Sequence, residues 1–186
     1  MEAINILVLG DPLFGKSLLA ERFAMATGNY CVIEPYIYKV MQQIDGSTIQ
    51  FSLMNIPNED IRQEDFVKAN AVLMVFDEDD VESLERLQRL WTEHFEAMCE
   101  SSLVILCGIT SYVHRDRLFY HNNATRQEIE DFKDKTEATA YFSVDLGSQE
   151  QIFQVFDRFY NETFVPKPRK RERSLSLKSL KSLKFW

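Results

Sequence analysis

The chain has 186 residues, 45% of them apolar and 27% charged, and a net charge of −8. That is enough to fill the core of one ordinary domain with an appendage, and too short for two full domains. No apolar run reaches the roughly 18 residues that span a bilayer, and the first residues lack the basic and apolar regions of a secretory signal. Three cysteines, Cys31, Cys99 and Cys107, form a sparse, odd set that argues for free thiols and a cytoplasmic protein.

In chain order, Ile4-Asn5-Ile6-Leu7-Val8-Leu9 is apolar, partly β-branched and closed by Gly10, which predicts a buried parallel strand. Ser17 to Met25 carries apolar residues at helical spacing and stops at Gly28-Asn29. Tyr36 to Ile44 and Thr48 to Met54 flank Asp45-Gly46, the signal of a tight hairpin, and a short helix is expected before the next strand. Ala71 to Phe76 is a second buried strand, closed by Asp77-Glu78-Asp79-Asp80. Val81, Leu84, Leu87, Trp91, Phe95 and Met98 then make one helical stripe. Leu103 to Gly108 is a third buried strand, Thr125 to Lys135 a charged helix, and Ala140 to Val144 a short strand. Ser148-Gln149-Glu150-Gln151 resembles a capping box opening a last helix, with Ile152, Phe153, Phe156, Phe159 and Tyr160 inward. Six strands alternating with helices predict an α/β fold: a mostly parallel sheet with one antiparallel hairpin, helices on both faces, and ligands at the C-terminal strand ends.

Charge is unevenly spread. Residues 165–186 hold eight basic residues and one acid, a balance of +7, so residues 1–164 carry −15 of the total −8. The acidic body argues against a nucleic-acid partner. The tail opens with Pro166-Lys167-Pro168-Arg169-Lys170-Arg171 and then repeats Ser-Leu-Lys three times from Ser176 to Lys184. Wound as a helix, it sets Leu175, Leu180, Leu183 and Trp186 against the lysines, with Leu177 and Phe185 breaking the division. Such a segment suits an anionic membrane surface or an acidic protein groove; a disordered charged tail is the other reading.

Gly10-Asp11-Pro12-Leu13-Phe14-Gly15-Lys16-Ser17 fits the P-loop pattern, with a strand before it and a helix after. Gly15 lets backbone N–H groups turn inward as an anion nest at a helix N-terminus. Lys16 supplies a point charge for the outer phosphates, and the Ser17 hydroxyl is a ligand for Mg²⁺ when nucleotide is bound.

Motif, hairpin, helix order and size resemble the Ras superfamily of small GTPases over residues 4 to about 164, and the Rab-like branch most closely, where Gly-Asp also opens the loop. The resemblance implies a Ras-like G domain at 1–164 and a basic tail at 165–186. It also implies GTP or GDP as ligand, Mg²⁺ as cofactor and a partner surface within residues 30–66. The other family motifs differ. Where the family has Asp-x-x-Gly-Gln, this chain has Asn55-Ile56-Pro57-Asn58-Glu59. Asn55 is neutral where the family's Asp reaches Mg²⁺ through water. Asn58 carries a side chain where Gly senses the γ-phosphate, and Glu59 brings negative charge where Gln positions water. No Ser or Thr lies between Gly28 and Gly46 to serve as the first-switch Thr; Glu34-Pro35 stands near its place. Ile109-Thr110-Ser111-Tyr112 replaces the guanine-reading Asn-Lys-x-Asp, and Asp145-Leu146-Gly147 replaces Ser-Ala-Lys.

The expectation is therefore an atypical, GTPase-like regulatory protein that holds a nucleoside phosphate and hydrolyses it slowly or not at all. The alternative is a scaffold of the same fold that binds no nucleotide, favoured if Leu13 or Phe14 closes the loop. Tyr36, Tyr38 and Val40 alternate along the strand that Ras-like proteins turn to effectors, a candidate aromatic partner face. The C-terminus has no cysteine for prenylation, so any membrane contact is expected to be peripheral and non-covalent.

Overall fold

A computed structural model describes residues 2–10, 15–34, 36–94, 103–110 and 122–165. Its elements run β1 (Glu2–Gly10), α1 (Lys16–Thr27), β2 (Tyr30–Glu34), β3 (Ile37–Ile44), β4 (Ser47–Met54), a 3-10 turn (Asn58–Asp60) and α2 (Gln63–Lys68). There follow β5 (Ala71–Asp77), α3 (Val81–His94), β6 (Leu103–Thr110), α4 (Arg126–Lys135), β7 (Ala140–Asp145) and α5 (Gln149–Phe164). The strands form one sheet of seven, ordered β2-β3-β4-β1-β5-β6-β7. It is parallel from β4 to β7 and antiparallel at β2-β3-β4.

The expected α/β architecture is present, and alternation along the strands explains its two cores. Ile4, Ile6 and Val8 of β1 face one side with Leu73, Val75, Ile105 and Cys107, under α1 and α5. Leu7 and Leu9 face the other with Val72, Met74, Phe76 and Leu106, under α2, α3 and α4. Both faces being covered, the central strands must be apolar throughout, which is the continuous pattern they show. Three rings knit the first core: Phe23 stacks on Phe156 with centroids 3.5 Å apart at 9°, and Phe51 meets both edge-on at 5.4 and 5.9 Å. Trp91 is buried in the second core, as its place in the helical stripe implies; Phe95 and Met98 lie outside the described residues.

Turn chemistry follows residue type. Asp45 and Gly46 both take positive φ, 50° and 79°, joining Ile44 to Ser47 as a two-residue hairpin turn requires. Thr125 and Glu128 close a full capping box on α4, and these bonds hold the Glu128 carboxyl below its ordinary pKa. At α5 only half of the expected box forms. Ser148 Oγ accepts from the Gln151 N–H, while Gln151 Oε1 turns away to accept from the Asp145 N–H at 2.7 Å.

Two expectations need correction. A seventh strand, β2, follows the Gly28-Asn29 stop; its five residues carry no alternation of their own and become a strand by pairing with β3. β2 is therefore the sheet edge and β3 is interior. Val40 is fully buried and Tyr38 packs on the first core, its hydroxyl 3.5 Å from Glu21, so of the proposed aromatic face only Tyr36 is exposed. Among the described side chains of this edge, Tyr30, Val32 and Tyr36 are large, apolar and exposed.

Candidate phosphate-binding site

The site forms where β1 gives way to α1. Gly10 pairs with Val75 and has φ 143°; a Cβ there would fall on the Val75 carbonyl oxygen. Gly15 caps α1 at φ 97°, and its carbonyl accepts the first helical bond, from Leu19 N–H at 2.7 Å. A left-handed residue at this point leaves the first N–H groups of the helix facing outward along its axis, where an anion is favoured. Asp11, Pro12, Leu13 and Phe14 lie outside the described residues, so the expectation for Leu13 and Phe14 falls there too.

Lys16 is 1% exposed. Its ammonium donates to the Ile56 carbonyl at 2.6 Å and to Asn58 Oδ1 at 3.2 Å. One residue on, Ser17 Oγ accepts from Asn55 Nδ2 at 3.0 Å. Asn55 is itself buried; its backbone N–H donates to the Tyr36 carbonyl at 2.8 Å, while its Oδ1 has no hydrogen-bond partner. Residues 55–58 thus close over the head of α1, and β3 is tied to them through Tyr36. By the family pattern Asn58 places a side chain where a glycine meets the γ-phosphate. The structure gives it a different part, as an acceptor for Lys16. Ile56 left no trace in the sequence, because its backbone carbonyl is the group used.

Beside Gly15 the wall is aliphatic. The Gly15 Cβ position lies 3.3 Å from Ile109 Cγ1 and 3.5 Å from Leu146 Cδ1, and both side chains belong to the first core. These are the segments where the family resemblance places base recognition. Asp145, the carboxylate next to them, accepts from the Gly147 N–H of its own turn at 2.7 Å. Glu59 is exposed on the 3-10 turn.

The acidic cluster after β5 has structural work. Asp77 accepts from the Asp79 N–H, Asp80 caps the Glu82 N–H and pairs with Arg86 at 3.1 Å, and Glu78 accepts from the Tyr141 hydroxyl at 2.6 Å. Burial, then the bond to Glu78, pushes the Tyr141 hydroxyl well above its ordinary pKa. Among the described residues no group of three or more His, Cys, Asp or Glu is placed to hold a metal ion.

The Ras family profile matches residues 5–164 of the chain. The chain belongs to the Ras family. Among curated relatives, the "GTP-binding protein rho2" of Schizosaccharomyces pombe is 26% identical over 120 residues, 60% of this chain and 59% of that protein. The "GTP-binding protein RHO1" of Saccharomyces cerevisiae is 24% identical over 170 residues, 82% of this chain and 79% of that protein. This chain thus spans less than two thirds of the first relative's length. Both relatives carry Rho names, and neither match bears on the Rab-like branch that Gly10-Asp11 suggested.

Ras-family proteins generally use Mg²⁺ with bound nucleotide. The residues that would hold it here are Ser17 and, through water, Asn55. They do not fit that ion well. Mg²⁺ is a hard cation that takes carboxylate and phosphate oxygens, and both of these side chains are neutral. Asn55 moreover directs an N–H, not an oxygen, at the Ser17 hydroxyl.

Proposed function

We propose that this Ras-family protein binds a nucleoside phosphate, GTP and GDP included, through Gly10 to Ser17 and acts by presenting a surface to protein partners, with hydrolysis slow or absent. The observation that carries the reading is the Lys16 ammonium. It is buried beside the N-terminus of α1, and its two acceptors on the 55–58 segment are neutral oxygens. The ammonium already makes charge-assisted bonds to these neutral oxygens; a phosphate oxygen adds a full opposite charge in a buried setting, so an incoming phosphate competes favourably with Ile56 and Asn58 for Lys16.

Hydrolysis lacks its apparatus. Glu59 would add negative charge next to a phosphoryl group that is already anionic, the reverse of what stabilises the transition state. Base recognition is weak for a related reason. A polar site that reads a base rejects analogues by about 10⁴-fold, whereas Ile109 and Leu146 offer only aliphatic contact. The partner surface lies within residues 30–66, where Tyr30, Val32 and Tyr36 are exposed. The basic segment 167–186 adds contact with an anionic membrane or an acidic protein, in a cytoplasmic and at most peripheral setting.

Calorimetry on nucleotide-free protein tests this. GTP, GDP and ATP are expected to bind at micromolar levels, with GTP and ATP within about tenfold of each other and binding lost in Lys16→Ala. A thousandfold preference for GTP would show that residues outside the described set read the base.

The second reading is a scaffold that binds no nucleotide. What favours it is the same geometry seen from the other side, since the 55–58 segment already satisfies Lys16 and Ser17 from within the chain. Folded protein that leaves millimolar nucleotide unbound would establish it.

A further inference from the structure

We propose that phosphate binding at this site is independent of magnesium, with Ser17 acting as a hydrogen-bond donor to the phosphate and not as a metal ligand; the inference rests on the reading of a phosphate site at Gly10 to Ser17. It comes from the direction of one hydrogen bond. A carboxylate beside the serine can only accept, so it takes the serine O–H and turns the oxygen lone pairs toward a cation. Asn55 does the opposite. Its amide nitrogen donates to Ser17 Oγ at 3.0 Å, occupying a lone pair and leaving the Ser17 O–H to donate elsewhere.

A second observation fits the same account. Asn55 is buried, and its Oδ1 is an acceptor without a partner. That oxygen carries no formal charge with which to offset a divalent cation. The positive side of the site is supplied by Lys16 and the N-terminus of α1, which together offer an anion a charge, a dipole and N–H donors. The neutral Asn55 therefore leaves a site whose positive charge comes from Lys16 and the α1 N-terminus, and Asn55, the described side chain that meets Ser17, offers no anionic counterpart to the second positive centre that Mg²⁺ provides.

The test is calorimetric titration of the full, nucleotide-free chain with GDP, in Mg²⁺ and separately in EDTA, on wild type, Asn55→Asp and Ser17→Ala. Wild type is expected to bind with affinities in the two buffers that agree within about threefold, about 0.65 kcal/mol. Asn55→Asp restores the acceptor and is expected to bind about 10- to 100-fold tighter in Mg²⁺ than in EDTA. Should Asn55→Asp fail to fold, Ser17→Ala decides. Equal loss of affinity in both buffers supports a donor role, and loss confined to Mg²⁺ overturns it. Wild-type binding that collapses in EDTA but persists in Mg²⁺ overturns the inference and leaves the phosphate site standing. Absence of GDP binding in either buffer overturns both.

Discussion

Gly10→Ala is expected to lose about 4 kcal/mol or more of unfolding free energy, measured by urea denaturation. Two effects combine. The backbone of Gly10 sits at φ 143°, where an L side chain is strained, and the new Cβ would clash severely with the Val75 carbonyl oxygen. That oxygen belongs to β5 in the middle of the sheet, so no side-chain rotation relieves the overlap; β1 and β5 must separate where they pair. Two controls bracket the result. Gly28 has φ 64° with nothing within 4 Å of its Cβ position, so Gly28→Ala should cost only about 1–2 kcal/mol. Gly15 has φ 97°, and among the described residues Gly15→Ala meets the Ile109 and Leu146 side chains, at 3.3 and 3.5 Å, so its cost falls between those of Gly28→Ala and Gly10→Ala. Near-wild-type stability of Gly10→Ala would mean that the ends of β1 and β5 are not packed as described. The consequence for function is direct. The sheet requires Gly10 with or without a ligand, so the first glycine of the motif says little about nucleotide; Gly15, Lys16 and Ser17 carry that weight.

Phe156→Ala is expected to cost about 3–5 kcal/mol, which for a domain of this size lowers the melting temperature by about 6–20 °C. Phe156 is fully buried, stacked on Phe23 and edge-on to Phe51, so it links α5 to α1 and to β4. Truncation removes a ring from the meeting point of three elements, and the neighbouring rings are too constrained by their own backbones to refill the space. The change lies away from Lys16, so nucleotide affinity measured below the melting transition should remain within about twofold of wild type. A loss under about 1 kcal/mol would show that the three rings do not form the hub of this core.

Much of this was legible in the sequence, for identifiable reasons. β1, β5 and β6 have largely apolar centres because both faces are covered, and a run of that kind is visible without partners. The hairpin was legible because Asp45-Gly46 tolerates the positive φ that its turn needs. The turn into α1 was legible because Gly15 tolerates the positive φ at the head of that helix. β2 was not, since a five-residue edge strand has little pattern of its own and depends on pairing with Ile37 to Val40. Nor was the orientation of Tyr38 and Val40. Strand alternation says that two residues share a face, and only the covering helices decide which face is buried.

At the site the division is sharper. The sequence by itself established that Asn55, Asn58 and Glu59 depart from the family pattern, because substitution is a matter of residue identity. Only the tertiary structure decided what the replacements do. It joins Lys16 to a carbonyl 40 residues away and turns the Asn55 amide, not its oxygen, toward Ser17. Both contacts cross from the segment that follows β4 to α1, through space that the sheet and its first helix create. One uses a backbone atom common to every residue and the other a choice of rotamer, and neither leaves a mark in the order of amino acids.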